Sequence, residues 1–192
     1  MKKIIVFATL FLTACGAFNS LTGNVYAPKT AEWVSKNAKI NTDKFTSITR
    51  VNFPSLIPRH FLNYKEVTGL SAWDAPDSPF WVSIIREPNK QDLYVVYFDI
   101  KQGEWSFYDK ALDEQGKQIP FFKLDKQINM GNEHFSTSIE EYFALKISKE
   151  FLEQNKGKNP QIKIYGKRNA FVFFLPDYYI DGILQYINNP TN

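Results

Sequence analysis

The sequence predicts an α+β fold: a single β-rich domain, mostly antiparallel, with about eight strands and two short helices near the C-terminus. Three observations predict it. Apolar and polar residues alternate with a two-residue period through most of the chain after residue 44, turn residues interrupt that pattern at short intervals, and in two late stretches the apolar spacing becomes helical. Strands that follow one another closely in sequence pair most economically as antiparallel neighbours.

Taken in order, FTSITRVNF sets Phe45, Ser47, Thr49, Val51 and Phe53 on one side of an extended segment, which Pro54 and Pro58 end. SLIPRHFLNYKEVTGLSAWDAPDSP, rich in proline and turn residues, reads as loop. FWVSIIRE and DLYVVYFDI are strong β runs joined across PNKQ, a hairpin. EWSFYDKAL places Trp105, Phe107 and Asp109 on one face of a further strand; Gly116 in DEQG suits a left-handed turn position, and QIPFFKLDKQI returns as the partner. In FSTSIEEYFALKI, Tyr142, Ala144 and Lys146 alternate with Phe143, Leu145 and Ile147. Ser148 reads as a helix cap, with Gly157 as the stop. Two short strands then flank GKRN, and Pro176 opens a helix that aligns Tyr179, Ile183, Tyr186 and Ile187 on one face.

The N-terminus has a different character. Lys2 and Lys3 precede an apolar run over residues 4–12, then Thr13 and the small Ala14, the order of a secretory signal. That run is about half the roughly 20 residues a spanning helix needs. Leu12, Thr13, Ala14 and Cys15 resemble, position for position, the lipobox of bacterial lipoproteins. The resemblance implies cleavage before Cys15, a diacylglycerol on its sulfur and an acylated amino group, and two or three chains suffice for stable anchoring. In a Gram-negative host it also implies an outer-membrane destination, because Gly16 stands where an aspartate would favour inner-membrane retention. The expected organisation is a signal peptide over 1–14, a lipidated cysteine and small, polar tether over 15–40, and a globular domain over 41–192.

Cys15 is the single cysteine, so no disulfide is expected and packing must hold the domain together. The interior has ample material in 17 Phe, 10 Tyr and 4 Trp. Loss of Lys2 and Lys3 with the signal takes the formal charge from +3 to +1. No basic run is visible in the sequence, and neither nucleic acid nor electrostatic attraction to an anionic lipid is expected.

From Trp105 onward the chain also resembles a group of small, uncharacterised exported bacterial proteins, often lipoproteins. The matching stretches are residues 105–111, 113–116, 123–128, 147–152, 162–168 and 176–184, with W-x-F-Y-D-x-A, I-K-I-x-G-K-R and P-x-x-Y-I-x-G-x-L as the fullest motifs. They have a structural rather than catalytic character, and the resemblance implies no activity.

Catalytic chemistry finds little footing. His60 and His134 lack partners at metal spacing, so no metal and no cofactor are expected; Glu133 beside His134 is at most half of an acid–base pair. Neither a G-x-S-x-G elbow nor a glycine-rich phosphate loop is present. Three carboxylate pairs, Asp74 with Asp77, Asp109 with Asp113 and Glu140 with Glu141, are open to comparison with glycan-cleaving sites, the last pair pointing to opposite faces if extended. The loop SAWDAPDSPFW, with Trp73, Asp74, Asp77 and Trp81, has the composition of a recognition site, and equally of a lid over core. The expectation is a lipid-anchored, non-catalytic binding or assembly component of the envelope, held to the membrane through Cys15 and open to an envelope protein partner. The alternatives are a small envelope hydrolase using a carboxylate pair and a peptide- or glycan-binding module through the Trp73–Trp81 loop.

Overall fold

The computed structural model describes residues 30–56, 79–129 and 138–190. These form a six-stranded sheet and a four-stranded sheet, every neighbouring pair antiparallel, together with three helices. Cys15, His60, Trp73, Asp74, Asp77, Glu133 and His134 lie outside the described residues.

Among the described residues the first element is helix α1 (Ala31–Lys36), capped by Thr30, whose Oγ1 accepts the Trp33 N–H at 3.1 Å. Val34 of α1 is fully buried, and strand β1 (Lys39–Thr42) follows directly. The domain therefore starts earlier than the expected boundary at 41, because a short amphipathic helix is hidden in what reads as polar tether. The β1 strand pairs with β2 (Thr49–Asn52) across a turn where Asp43 Oδ1 accepts the Phe45 N–H at 2.8 Å and the Asp43 carbonyl accepts Ser47 N–H at 2.8 Å. The strand expected from Phe45 thus begins four residues later, at Thr49: Phe45 is fully exposed and Ser47 has a positive φ of 57°.

Strands β3 (Phe80–Arg86) and β4 (Leu93–Gln102) form the expected hairpin, with Phe80, Val82, Ile84, Val96, Phe98 and Ile100 all on the core face. Strand β5 (Lys110–Asp113) pairs with the two-residue β6 (Gln118–Ile119) around Gly116, at φ +78°, as its position suggests. The return segment does not continue as the partner of β5. At Pro120 the chain changes sheets, and β7 (Phe121–Asn129) becomes the edge strand beside β8 (Ser138–Ile147). Proline brings no N–H to either ladder, and its carbonyl accepts the Lys146 N–H at 3.0 Å to start the second one.

Helix α2 (Lys149–Gln154) carries the expected Ser148 cap, with Oγ accepting the Phe151 N–H at 3.1 Å. Strands β9 (Gln161–Tyr165) and β10 (Ala170–Phe174) complete the smaller sheet in the order β10-β9-β5-β6, and α3 (Asp177–Asn188) follows. The larger sheet runs β1-β2-β3-β4-β8-β7.

Phenylalanines from neighbouring strands make a ladder across the core face of the larger sheet. Phe80, Phe98, Phe143 and Phe121 follow one another at ring separations of 6.0, 4.9 and 4.9 Å. The smaller sheet and α3 cover that ladder: Phe173 meets Phe98 edge-on at 4.8 Å, and the Tyr179 hydroxyl donates to the Pro54 carbonyl at 2.7 Å. Helix α1 in turn sits tightly on α3. A Cβ added at Gly182 would stand 2.5 Å from Val34 Cβ and 2.6 Å from the Ala31 carbonyl oxygen. Among the described residues no helix is long and apolar enough to cross a membrane.

Candidate functional site

Between β4 and β5 the chain leaves the ladder. Residues 105–109, expected as strand, are held instead by a carboxylate. Glu141, 3% exposed, accepts the N–H groups of Ser106 at 2.6 Å, Phe107 at 3.0 Å and Tyr108 at 3.3 Å, with Gln102 Nε2 at 3.0 Å as a further donor. Backbone donors that would otherwise need a neighbouring strand are satisfied by one side chain. Phe107 takes a positive φ of 54°, a conformation a phenylalanine adopts only when its surroundings impose it.

The turn between β9 and β10 closes the other side. Gly166 is required there, since a Cβ would fall 2.3 Å from the Ser106 carbonyl oxygen. Arg168 N–H reaches that oxygen at 3.4 Å, and Asn169 Nδ2 donates to Ser106 Oγ at 2.9 Å. The W-x-F-Y and G-K-R stretches, far apart in sequence, are therefore one structural unit. Tyr108 lies beneath it, its hydroxyl 3.3 Å from Gln102 Oε1 and its phenol pushed up to about 12 by burial foremost, with the Glu141 charge adding.

This unit presents Trp105 and Phe107, both half-buried, with ring centres 6.1 Å apart. Around the Phe107 ring stand Lys126 Nζ at 4.5 Å, Arg168 Cζ at 5.9 Å and Lys167 Nζ at 6.0 Å, and Lys126 also lies 5.4 Å from the Trp105 ring. Lys126 comes from β7 just beyond a bulge between Lys123 and Asp125, where a cavity of about 190 Å³ is lined by Tyr108, Lys123, Leu124, Lys126, Glu141 and Phe143. A basic cluster thus exists where the sequence shows no basic run: chain topology, not residue order, assembles it.

The residues singled out in the sequence have other places. Trp81 is half-buried on the outer face of the larger sheet, stacked on Tyr97 at 5.4 Å and 14°. Asp113 shapes its own turn, Oδ1 accepting the N–H groups of Gln115 at 3.0 Å and Lys117 at 2.8 Å, while the backbone N–H of Asp109 joins the ladder through the Tyr165 carbonyl at 2.9 Å. Glu140 and Glu141 are both buried and, as alternation requires, occupy opposite faces. None of the described pairs considered from sequence is a converging acid–base pair.

A different convergence appears beside Glu140. Its carboxylate pairs with Lys101 Nζ at 2.8 Å and accepts from the Tyr142 hydroxyl, while Asp99 lies directly across from Tyr142 on the same face. Asp99 Oδ1 is buried without a hydrogen bond, and burial foremost holds its carboxyl above the usual range, with Glu140 adding and Lys101 opposing. No sequence signal marked Asp99, which reads as one more position in a strong strand.

Because native Asp99 retains its proton to higher pH than the unfolded chain, its contribution to stability falls as pH rises from about 4 through the folded-state value. Asp99→Asn is expected to raise the melting temperature at pH 7, and by more than at pH 4, since a neutral amide costs less to bury than a carboxylate. Thermal melts of both proteins across that range check the sign; a lower melting temperature at pH 7 would show that the charge is supported after all.

The fold and site define an α+β domain of two antiparallel sheets that presents an aromatic pair ringed by cations. Compared with known proteins, the chain matches no family model, no curated protein and no solved structure.

Proposed function

We propose that the chain is a lipid-anchored envelope protein that works by binding rather than by chemistry, held through Cys15 on the periplasmic face of an outer membrane. The observation that carries the binding reading is the state of Glu141: the carboxylate under the candidate site is engaged by backbone donors from Ser106, Phe107 and Tyr108, and what faces outward is aromatic and cationic. Such a surface holds a ligand and offers no acid–base pair to transform it. The 14 residues between Cys15 and Thr30 would reach at most about 50 Å when extended, enough to let the domain approach or leave the bilayer.

Intact mass of protein extracted from membranes tests the anchor. The expected wild-type mass begins at Cys15 and carries a diacylglycerol with a further acyl chain, and Cys15→Ala releases the protein from the membrane fraction. An unmodified wild-type mass would refute the anchor. In-cell crosslinking of the same pair would then identify partners that depend on it. The hydrolase alternative now rests on Asp99 and Glu140 rather than on the pairs considered from sequence, because burial raises the Asp99 carboxyl while Glu140 is held by Lys101 and Tyr142. The glycan or peptide module keeps Trp81 as its one described residue.

A further inference from the structure

We propose that the Phe107 cluster is a docking face for an anionic phospholipid surface. The inference rests on the anchored reading above, which places the domain beside a bilayer, and adds to it the face that meets the lipid.

Three cations gathered around one ring, each drawn to its face, make a local positive surface that an anion complements. The chain supplies little of that negative charge. Glu104 lies 3.5 Å from Arg168 with both side chains well exposed, Glu141 is held by backbone N–H groups beneath the ring, and Asp125, which lines the same cavity, is engaged by the Lys126 N–H at 2.7 Å and Gln127 Nε2 at 2.9 Å. Phosphodiester headgroups supply the complementary charge.

The apolar part of the site distinguishes a lipid surface from a small anion. Trp105 and Phe107 stand among the cations as interfacial aromatics do, and Leu124 lines the same cavity as Lys126 while 53% exposed. Ile128, two residues beyond Lys126 and so on the same side of β7, is 56% exposed. A free phosphate would leave these groups in water; the glycerol and upper acyl region of a bilayer covers them. The positive φ of Phe107 has a use in this arrangement, since it turns the ring out toward the cations while its N–H stays on Glu141.

The test uses the mature lipidated protein in vesicles of pure phosphatidylcholine or of phosphatidylcholine mixed with phosphatidylglycerol. Lysines are labelled with a water-soluble amine reagent and read by peptide mass spectrometry, with exposed Lys90 as the internal control. Lys126 and Lys167 are expected to label about fivefold more slowly on the phosphatidylglycerol vesicles, with the difference lost in about 0.5 M salt. Lys167→Gln with Arg168→Gln should return Lys126 to the phosphatidylcholine rate. Equal labelling on the two vesicle types, from protein that still floats with both, overturns the docking face and leaves the anchor standing. Slow labelling on both types overturns it also and assigns the face to a second copy or another protein. Protein that floats only with phosphatidylglycerol vesicles, and not after the double substitution, refutes the anchor while supporting the docking face.

Discussion

Replacing Glu141 with alanine is expected to remove about 4 kcal/mol of stability, more than any other single truncation of a polar side chain in the described structure. The carboxylate satisfies the N–H groups of Ser106, Phe107 and Tyr108, of which Ser106 and Tyr108 are 0% and 2% exposed. A buried donor left without a partner costs about 1 to 3 kcal/mol, and two of these three belong to buried residues. Domains of this size have about 5 to 15 kcal/mol in total, so the variant would keep only part of its margin. Glu141→Gln retains one acceptor oxygen and should lose about half as much. Urea denaturation of the three proteins measures the series. A Glu141→Ala loss under about 1 kcal/mol would mean that the segment finds other partners and that the carboxylate does not hold it. Because Phe107 stands on this segment, the alanine variant should also lose slow labelling of Lys126 on anionic vesicles.

Gly182→Ala is expected to destabilise by about 2 kcal/mol, against the direction that helix propensity alone gives. Alanine in a helix interior is about 1 kcal/mol better than glycine, but here the added methyl group meets Val34 Cβ at 2.5 Å and the Ala31 carbonyl oxygen at 2.6 Å. Neither obstacle is the free end of a long side chain, so α1 must shift bodily away from α3. The loss should therefore appear first at α1: trypsin cleaves after the exposed Lys36 faster in the variant, before the global transition measured by a thermal melt. A variant as stable as wild type, with unchanged cleavage at Lys36, would show that α1 does not depend on this contact.

The features legible in the sequence were those carried by a continuous pattern. FWVSIIRE and DLYVVYFDI alternate cleanly and share a short turn, and their register can be read almost from the letters; the two C-terminal helices had a serine cap and a proline start to mark them. What failed had a local competitor. Asp43 closes a turn within a segment whose alternation extends through Phe45, so the period overstates the strand. Pro120 divides an unbroken apolar run between two sheets, and nothing in the run says which partner each half takes. Residues 105–109 alternate like a strand, yet a glutamate more than 30 positions away takes the N–H groups of Ser106, Phe107 and Tyr108. The Phe107 cluster was hidden for the same reason. Lys126 belongs to one sheet and Lys167 with Arg168 to a turn of the other, so no window of sequence contains them together.

The change of sheets at Pro120 and the placing of Phe171, Phe173 and Tyr179 have a consequence for how the chain matures. Synthesis delivers residues in order, and the phenylalanine ladder of β3, β4, β7 and β8 is complete by Ile147, yet much of its cover comes from residues 170–186. Until these arrive, a sheet with a largely apolar face has only Tyr108 and the β5–β6 segment to lie against it, and closing it requires contacts such as Tyr179 with Pro54, 125 positions apart. A nascent chain of this design cannot commit to its fold early. It lacks much of the cover of its interior for as long as the residues from about 170 onward are missing, and gains that cover in one late step.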